Sequence, residues 1–274
     1  MVAKLIKHEF NSNMKILLVA DLFLLILAGL SRFFTSLDSE SVFVEIFSGF
    51  SIIAVVFGCF AVFILATVMG IVRFYKNMFS SEGYLTLTLP LTAAQHIFAK
   101  LLCAVTYHLI TTICVVAAII LLIPSAAWQE VITAFEYAFS GEIPTQVAIT
   151  TGEGIVLAIQ FCILIIVSLA QSYLLYYACM SLGQLARKNR ILASVGFYML
   201  YNFISQLLGS IFSIVMGIAS TTLETDTVIT QPADVNVFQA FSVLFIIAIV
   251  FSLILSVIFF LISRFIITKK LNLE

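Results

Sequence analysis

The sequence predicts an all-α membrane protein with six transmembrane helices. Only 10% of its 274 residues are charged, and its mean hydropathy is +1.19, whereas ordinary soluble domains carry about 25% charged residues. A helix that crosses a bilayer core about 30 Å thick needs about 20 mostly apolar residues. Runs of that length predict spans at residues 16–37, 47–72, 101–123, 154–182, 191–219 and 238–265 of a single transmembrane domain, 1–274.

The residues before the first span predict a helix that lies in the membrane interface. If residues 1–15 are helical, lysines occupy one side, and the apolar side chains of Val2, Leu5, Ile6, Phe10 and Met14 occupy the other. We interpret this segment as an amphipathic elbow helix. The alternative is a basic terminus that only sets the topology.

The basic residues predict the orientation of the spans. Every Lys and Arg except Arg32 lies before the first span, at the end of the sixth or after it, or between spans two and three or four and five. Basic residues near span ends are held on the cytoplasmic side, so both termini are expected to be cytoplasmic. The formal net charge of -1 gives no support for nucleic-acid binding.

The connection at residues 77–92, NMFSSEGYLTLTLPLT, predicts a compact cytosolic segment between the second and third spans. Ser80 or Ser81 suits the start of a short helix, and Pro90 ends it. Thr92 and Gln95 have the spacing of a capping box, which begins the next helix. We expect this segment to present apolar side chains to a partner protein. A turn that packs on its own helix ends is the alternative.

Residues 73–102, RFYKNMFSSEGYLTLTLPLTAAQHIFAKLL, resemble the segment between spans two and three in bacterial permeases of the ABC type-2 family. The six spans extend the resemblance loosely over the chain. It implies a type-2 ABC exporter permease fold in the bacterial plasma membrane, with residues 77–92 as the coupling segment that docks on an ATP-binding subunit. The docking positions carried over are Phe79, Ser81, Glu82, Gly83 and Tyr84.

The resemblance also implies partners. No G-x-x-x-x-G-K-[ST] loop occurs in the sequence, so ATP and Mg²⁺ are expected on a separate subunit and no cofactor on this chain. Such transporters usually assemble twice as many spans, which implies a second copy or a related permease. The chain is similar to exporters of amphipathic toxin peptides such as phenol-soluble modulins, and to self-immunity efflux subunits that expel peptide antibiotics.

Polar side chains inside the spans indicate helix contacts or a transport path. His108, Gln160 and Gln171 are candidate polar groups along a cargo path. Asp21, close to Lys15, is expected to pair with a basic residue. A series at four-residue and three-residue spacing in the fifth span predicts a close helix contact, such as a dimer seam, in preference to a cargo contact. It consists of Asn202, Gln206, Gly209, Ser213 and Gly217.

No residue set predicts an enzyme or a metal site. The three histidines, His8, His96 and His108, have no serine elbow or metal-ligand spacing beside them. The main alternative to an ATP-driven exporter is a proton-coupled carrier in which His108 and Asp21 take part. A membrane scaffold or sensor subunit that transports nothing is a third interpretation.

Overall fold

The computed structural model describes residues 2–37, 42–80, 83, 91–123, 127–130, 132–133, 151–186, 188–226 and 237–269. Within these residues the chain is all-helical, with no strand, which confirms the predicted all-α class. Each predicted span corresponds to one long helix that has the length and composition to cross a membrane. These are α1 (Val2–Thr35), α2 (Val42–Phe79), α3 (Ala93–Leu122), α4 (Thr151–Gly183), α5 (Arg190–Asp226) and α6 (Val237–Lys269).

The chain divides into two compact units of three helices each. Unit 1 contains α1, α2 and α3, and each of these helices packs on the other two. Unit 2 contains α4, α5 and α6, and α4 packs on both of the others.

The segment predicted as an interfacial elbow is part of the first long helix, and its location in the membrane interface stays a prediction. α1 is continuous from Val2 to Thr35, with no break between the amphipathic part and the span. The reason is local, because no Gly or Pro occurs before Gly29 to interrupt the helix. The apolar side chains of Ile6, Phe10 and Met14 pack on α2 and α3 within unit 1. The amphipathic pattern of this segment therefore produces a contact with protein.

Two apolar clusters form the packed interior of unit 1. One is formed by buried residues of all three helices, Leu24, Ala28, Val55, Val62, Val115 and Ala118. The other lies nearer the N-terminus of α1 and contains Leu17, Ala66, Cys103 and Tyr107. Large apolar side chains elsewhere on α2 point outward, and Phe43 and Phe57 are 74% and 70% exposed. Such a surface suits contact with lipid chains.

The helix ends beside residues 77–92 agree with the sequence analysis. α2 has 38 residues and is about 57 Å long, which exceeds the thickness of a hydrocarbon core of about 30 Å. It ends at Phe79. α3 starts after Thr92 with the predicted capping box. The Thr92 N–H donates to Gln95 Oε1 at 2.9 Å, and the Gln95 N–H donates to Thr92 Oγ1 at 3.4 Å.

Small residues bring the helices of unit 2 close together. Ser181 on α4 and Ser263 on α6 are fully buried. Gly183 lies so near the start of α5 that an added Cβ would meet Ser194 Oγ at 1.9 Å and the Arg190 carbonyl oxygen at 2.8 Å. In the α4–α5 connection, Asn189 has φ 58, a left-handed conformation that Asn tolerates better than most residues.

Candidate functional site

A buried charged cluster ties the three helices of unit 1 together beside residues 77–92. The Glu9 side chain on α1 is 7% exposed. The Lys100 ammonium on α3 donates to Glu9 Oε1 at 2.8 Å, and Arg73 Nε on α2 donates to Glu9 Oε2 at 2.6 Å. Asn77 Nδ2, also on α2, donates to Glu9 Oε1 at 2.8 Å. We call Glu9, Arg73, Asn77 and Lys100 the Glu9 cluster.

Contacts one and two turns further along α3 reinforce this cluster. The Tyr107 hydroxyl donates to the backbone carbonyl of Glu9 at 3.2 Å and to that of Phe10. The Tyr107 ring stacks on the Phe10 ring, with the centroids 5.0 Å apart. The Cys103 thiol lies 3.7 Å from the Ile6 carbonyl oxygen. The first part of α1 is thus held to α3 by its backbone as well as by the Glu9 carboxylate.

The electrostatics of the cluster favour an ionised Glu9. Burial alone would raise the pKa of the Glu9 carboxyl, but the charge and hydrogen bond of Lys100, with those of Arg73, outweigh burial and hold the pKa below its ordinary value. The Lys100 side chain is 3% exposed and the Arg73 side chain 21%. An anion that binds two cations in a sparsely solvated place fixes the relative positions of three helices.

The described part of residues 77–92 packs onto the end of α2. Met78 and Phe79 are buried, and the Phe79 ring lies 5.7 Å from the Phe74 ring. The Gly83 N–H donates to the Ser80 carbonyl at 2.8 Å, and a Cβ on Gly83 would lie 2.8 Å from the Met78 carbonyl oxygen. Glycine is therefore the residue that this turn accommodates.

The assignment of docking residues stays a prediction. Phe79 and Gly83 are buried in the chain. Ser81, Glu82 and Tyr84 lie outside the described residues.

His96 stands one turn before Lys100 on α3 and is fully buried. Neither of its ring nitrogens has a hydrogen-bond partner in the part of the chain that the structure describes. It is the residue of α3 nearest the coupling segment that combines full burial with an ionisable side chain.

The predicted series on α5 faces outward in the structure. Asn202, Gln206, Gly209 and Ser213 are exposed, and nothing lies within 4 Å of an added Cβ on Gly209. Nothing is described for the surroundings of Gly217. A single chain does not test the predicted helix contact, which stays a prediction.

The three candidate cargo-path residues have different surroundings. Gln160 on α4 donates to Ser242 Oγ on α6 at 2.9 Å, so it joins two helices of unit 2. His108 is buried in unit 1, and its ring lies 5.4 Å from the Phe63 ring. Gln171 is half-buried. His108 belongs to unit 1 and the two glutamines belong to unit 2, and the role of all three in transport stays a prediction.

Asp21 contacts a different partner from the one expected. Its carboxylate accepts a hydrogen bond from Thr111 Oγ1 on α3 at 3.1 Å, and within the described residues no basic side chain forms an ion pair with it. Asp21 and Lys15 lie on different faces of α1, since Lys15 is exposed and Asp21 is buried. The rotation of α1 about its axis decides which partner Asp21 meets.

Glu9 was not predicted as a functional residue. Helical spacing places it beside Val2, Leu5 and Ile6, on the apolar side of the amphipathic segment, and an acid in that position is a sign of a buried charge. The second signal was Lys100, a cation placed well inside a predicted helix on a generally apolar chain, which calls for an anion nearby. In the described ranges, no group of three or more His, Cys, Asp or Glu side chains has the arrangement of a metal site.

Within the described residues, six helices are long and apolar enough to cross a membrane, which is compatible with a multi-pass helical membrane protein. No family model, curated protein or solved structure matches the chain. A more particular assignment therefore depends on the residues themselves.

Proposed function

We propose that this chain is the membrane-spanning permease subunit of an ATP-driven exporter of the ABC type-2 kind. A separate subunit hydrolyses ATP, and the cargo is an amphipathic or hydrophobic peptide, such as a toxin or an antimicrobial peptide. The protein lies in the bacterial plasma membrane with both termini in the cytoplasm, as its basic residues favour.

The single observation that carries this proposal is the position of the Glu9 cluster. Arg73 and Asn77 are in the last turns of α2, and Lys100 is in the third turn of α3, so the cluster joins the two helices that flank residues 77–92. Glu9 adds α1 to the same junction. A push on the coupling segment therefore reaches three helices together.

The mechanism is a change of access driven from outside the chain. ATP-dependent closure of the partner subunits displaces the coupling segment, and unit 1 moves with it because the Glu9 cluster resists separation of its helices. The work comes from the difference in partner binding between two conformations of the permease. A second copy, or a related permease, completes the transport chamber.

The docking of the partner is tested by a double substitution in the coupling segment. Glu82→Arg with Tyr84→Ala should reduce co-purification of the proposed ATP-binding subunit by about tenfold, equivalent to about 1.4 kcal/mol of binding free energy. The matched control is Glu45→Arg with Phe43→Ala, because both residues are exposed near the opposite end of α2. Undiminished co-purification of the coupling-segment variant would overturn the proposal.

A second candidate, a proton-coupled carrier, is favoured by the burial of both Asp21 and His108 in unit 1. A carrier of this kind loses cargo efflux when the proton gradient is collapsed and keeps it when the ATP-binding subunit is inactivated. The exporter shows the reverse behaviour.

A further inference from the structure

The carboxyl group of Asp21 is buried, and only one of its two oxygens has a hydrogen-bond partner in the described residues. The residue is 2% exposed and lies within the span Met14–Thr35. Thr111 Oγ1 donates to Asp21 Oδ2 at 3.1 Å. Asp21 Oδ1 is also buried and has no hydrogen-bond partner in the described residues.

Among the described residues, no basic side chain forms an ion pair with Asp21. On α1, Leu17 lies about one turn before Asp21 and Leu24 about one turn after it. Both leucines belong to the apolar clusters of unit 1. The charged residues of α1 nearest in sequence, Lys15 and Arg32, form no ion pair with it. The titratable side chains that the neighbouring helices place around this level are Cys59 of α2 and His108 and Cys114 of α3, with Cys114 within electrostatic reach of the carboxyl.

We infer that Asp21 is an intramembrane proton-binding site, and that its carboxyl group is protonated and therefore neutral at pH 7. An isolated carboxylate in a low-dielectric interior is costly, and one hydrogen bond from a neutral hydroxyl does not replace its hydration. The proton resides on Oδ1, and Oδ2 accepts from Thr111. Release of the proton requires the α1–α3 contact to open, so that water or a cation reaches Oδ1.

This inference is independent of whether the chain is driven by ATP or by protons, because it concerns a protonation state that is measured without transport. It also predicts a contrast within one helix. Lys100 and Arg73 stabilise the ionised form of Glu9, whereas Asp21 is neutral. An unperturbed Asp is protonated in only about one molecule in a thousand at pH 7. The two states are therefore easy to distinguish.

The first measurement is chemical labelling of the full chain in lipid vesicles at pH 7. The O–H of a protonated carboxyl adds across a C=N bond of an apolar carbodiimide, and the adduct rearranges to a stable N-acylurea without a by-product. Peptide mapping by mass spectrometry should find about tenfold or more adduct on Asp21 than on Glu9, given the expected difference in protonation. Equal labelling of the two residues would overturn the inference.

The second measurement does not depend on access of a reagent. The infrared spectrum of the wild-type protein at pH 7 should contain the C=O stretch of a neutral carboxylic acid, and Asp21→Asn should remove it. Glu45→Gln, at an exposed carboxylate, should leave that band unchanged. Thr111→Val keeps Asp21 but removes its hydrogen bond, so the band should persist at a higher frequency. If the wild-type protein lacks this band, the inference is wrong, whatever the labelling shows.

Discussion

The two units hold their helices together by different means. In unit 1 the Glu9 carboxylate binds cations that are 64 and 91 residues away in the sequence. In unit 2 the close contacts come from small residues, of which Gly183 against Ser194 is the tightest described. Lipid chains are as apolar as leucine, so burial of apolar surface does little to hold membrane helices together. Polar contacts and steric fit must do it instead.

The difference determines which changes each unit tolerates. A charged junction is sensitive to the loss of one charge, because the charge left behind remains buried. A junction of small residues is sensitive to added volume, because neighbouring backbone atoms have nowhere to move. If unit 1 is the part of the chain that is displaced by a partner, its charged junction has the advantage of keeping three helices in register during the movement.

The largest effect is expected from Glu9→Gln. The substitution keeps the shape of the side chain but leaves the buried ammonium of Lys100 without a carboxylate. We expect the free energy of unfolding in detergent to fall by about 3 to 5 kcal/mol, as for other buried ion pairs that lose one partner. Glu45→Gln, at an exposed residue of α2, should change it by less than about 0.5 kcal/mol.

The pH dependence sharpens this prediction. The pKa of Glu9 is lower in the folded protein, so its stabilising contribution is present above the ordinary carboxyl range and is lost as the pH falls through the lowered pKa. The wild-type protein should therefore lose stability on acidification to a greater extent than Glu9→Gln does. Equal stability of the two proteins at pH 7 would show that the Glu9 cluster does not hold unit 1 together.

A smaller loss is expected from Gly183→Ala in unit 2. The new methyl group would lie 2.8 Å from both the Arg190 carbonyl oxygen and the Ser194 nitrogen, which are backbone atoms. Overpacking of this kind costs about 1 to 3 kcal/mol. The measurement is the free energy of unfolding in detergent, as for Glu9→Gln.

Gly196→Ala provides the matched control for Gly183→Ala. Gly196 is in α5, and nothing lies within 4 Å of an added Cβ there. Alanine is a better helix former than glycine, so this variant should be unchanged or more stable by up to about 1 kcal/mol. If both variants behave alike, the α4–α5 contact is not as close as the structure has it.

The helices of this chain were predictable from the sequence, and so was one helix start. Long apolar runs specify spans directly, and the capping box of Thr92 and Gln95 depends on residues three apart. The continuity of α1 was not predicted, because an amphipathic pattern shows which side of a helix is polar and which is apolar. It does not show where the helix ends. The absence of Gly and Pro before Gly29 was the better guide.

The polar contacts of unit 1 were not predictable in the same way. The partners of Glu9 and Asp21 on α3 are about 90 residues away in the sequence, and no spacing rule relates them. Which residues meet depends on the rotation of each helix and its shift along its axis, and these are set by the packing of the whole unit. A sequence indicates that buried Lys100 needs an anion without indicating which one.

The smallest effect is expected from Tyr107→Phe in unit 1. Phenylalanine preserves the stacking on Phe10 and removes only the hydroxyl that donates to backbone carbonyls of α1. The loss of such a hydrogen bond costs about 0.5 to 1.5 kcal/mol. Tyr75→Phe is the control, since the Tyr75 hydroxyl makes no hydrogen bond within the described residues although its ring packs near Phe79. If Tyr107→Phe is as damaging as Glu9→Gln, the backbone contact rather than the ion pair holds α1 to α3, and the contrast between charged and steric junctions must be redrawn.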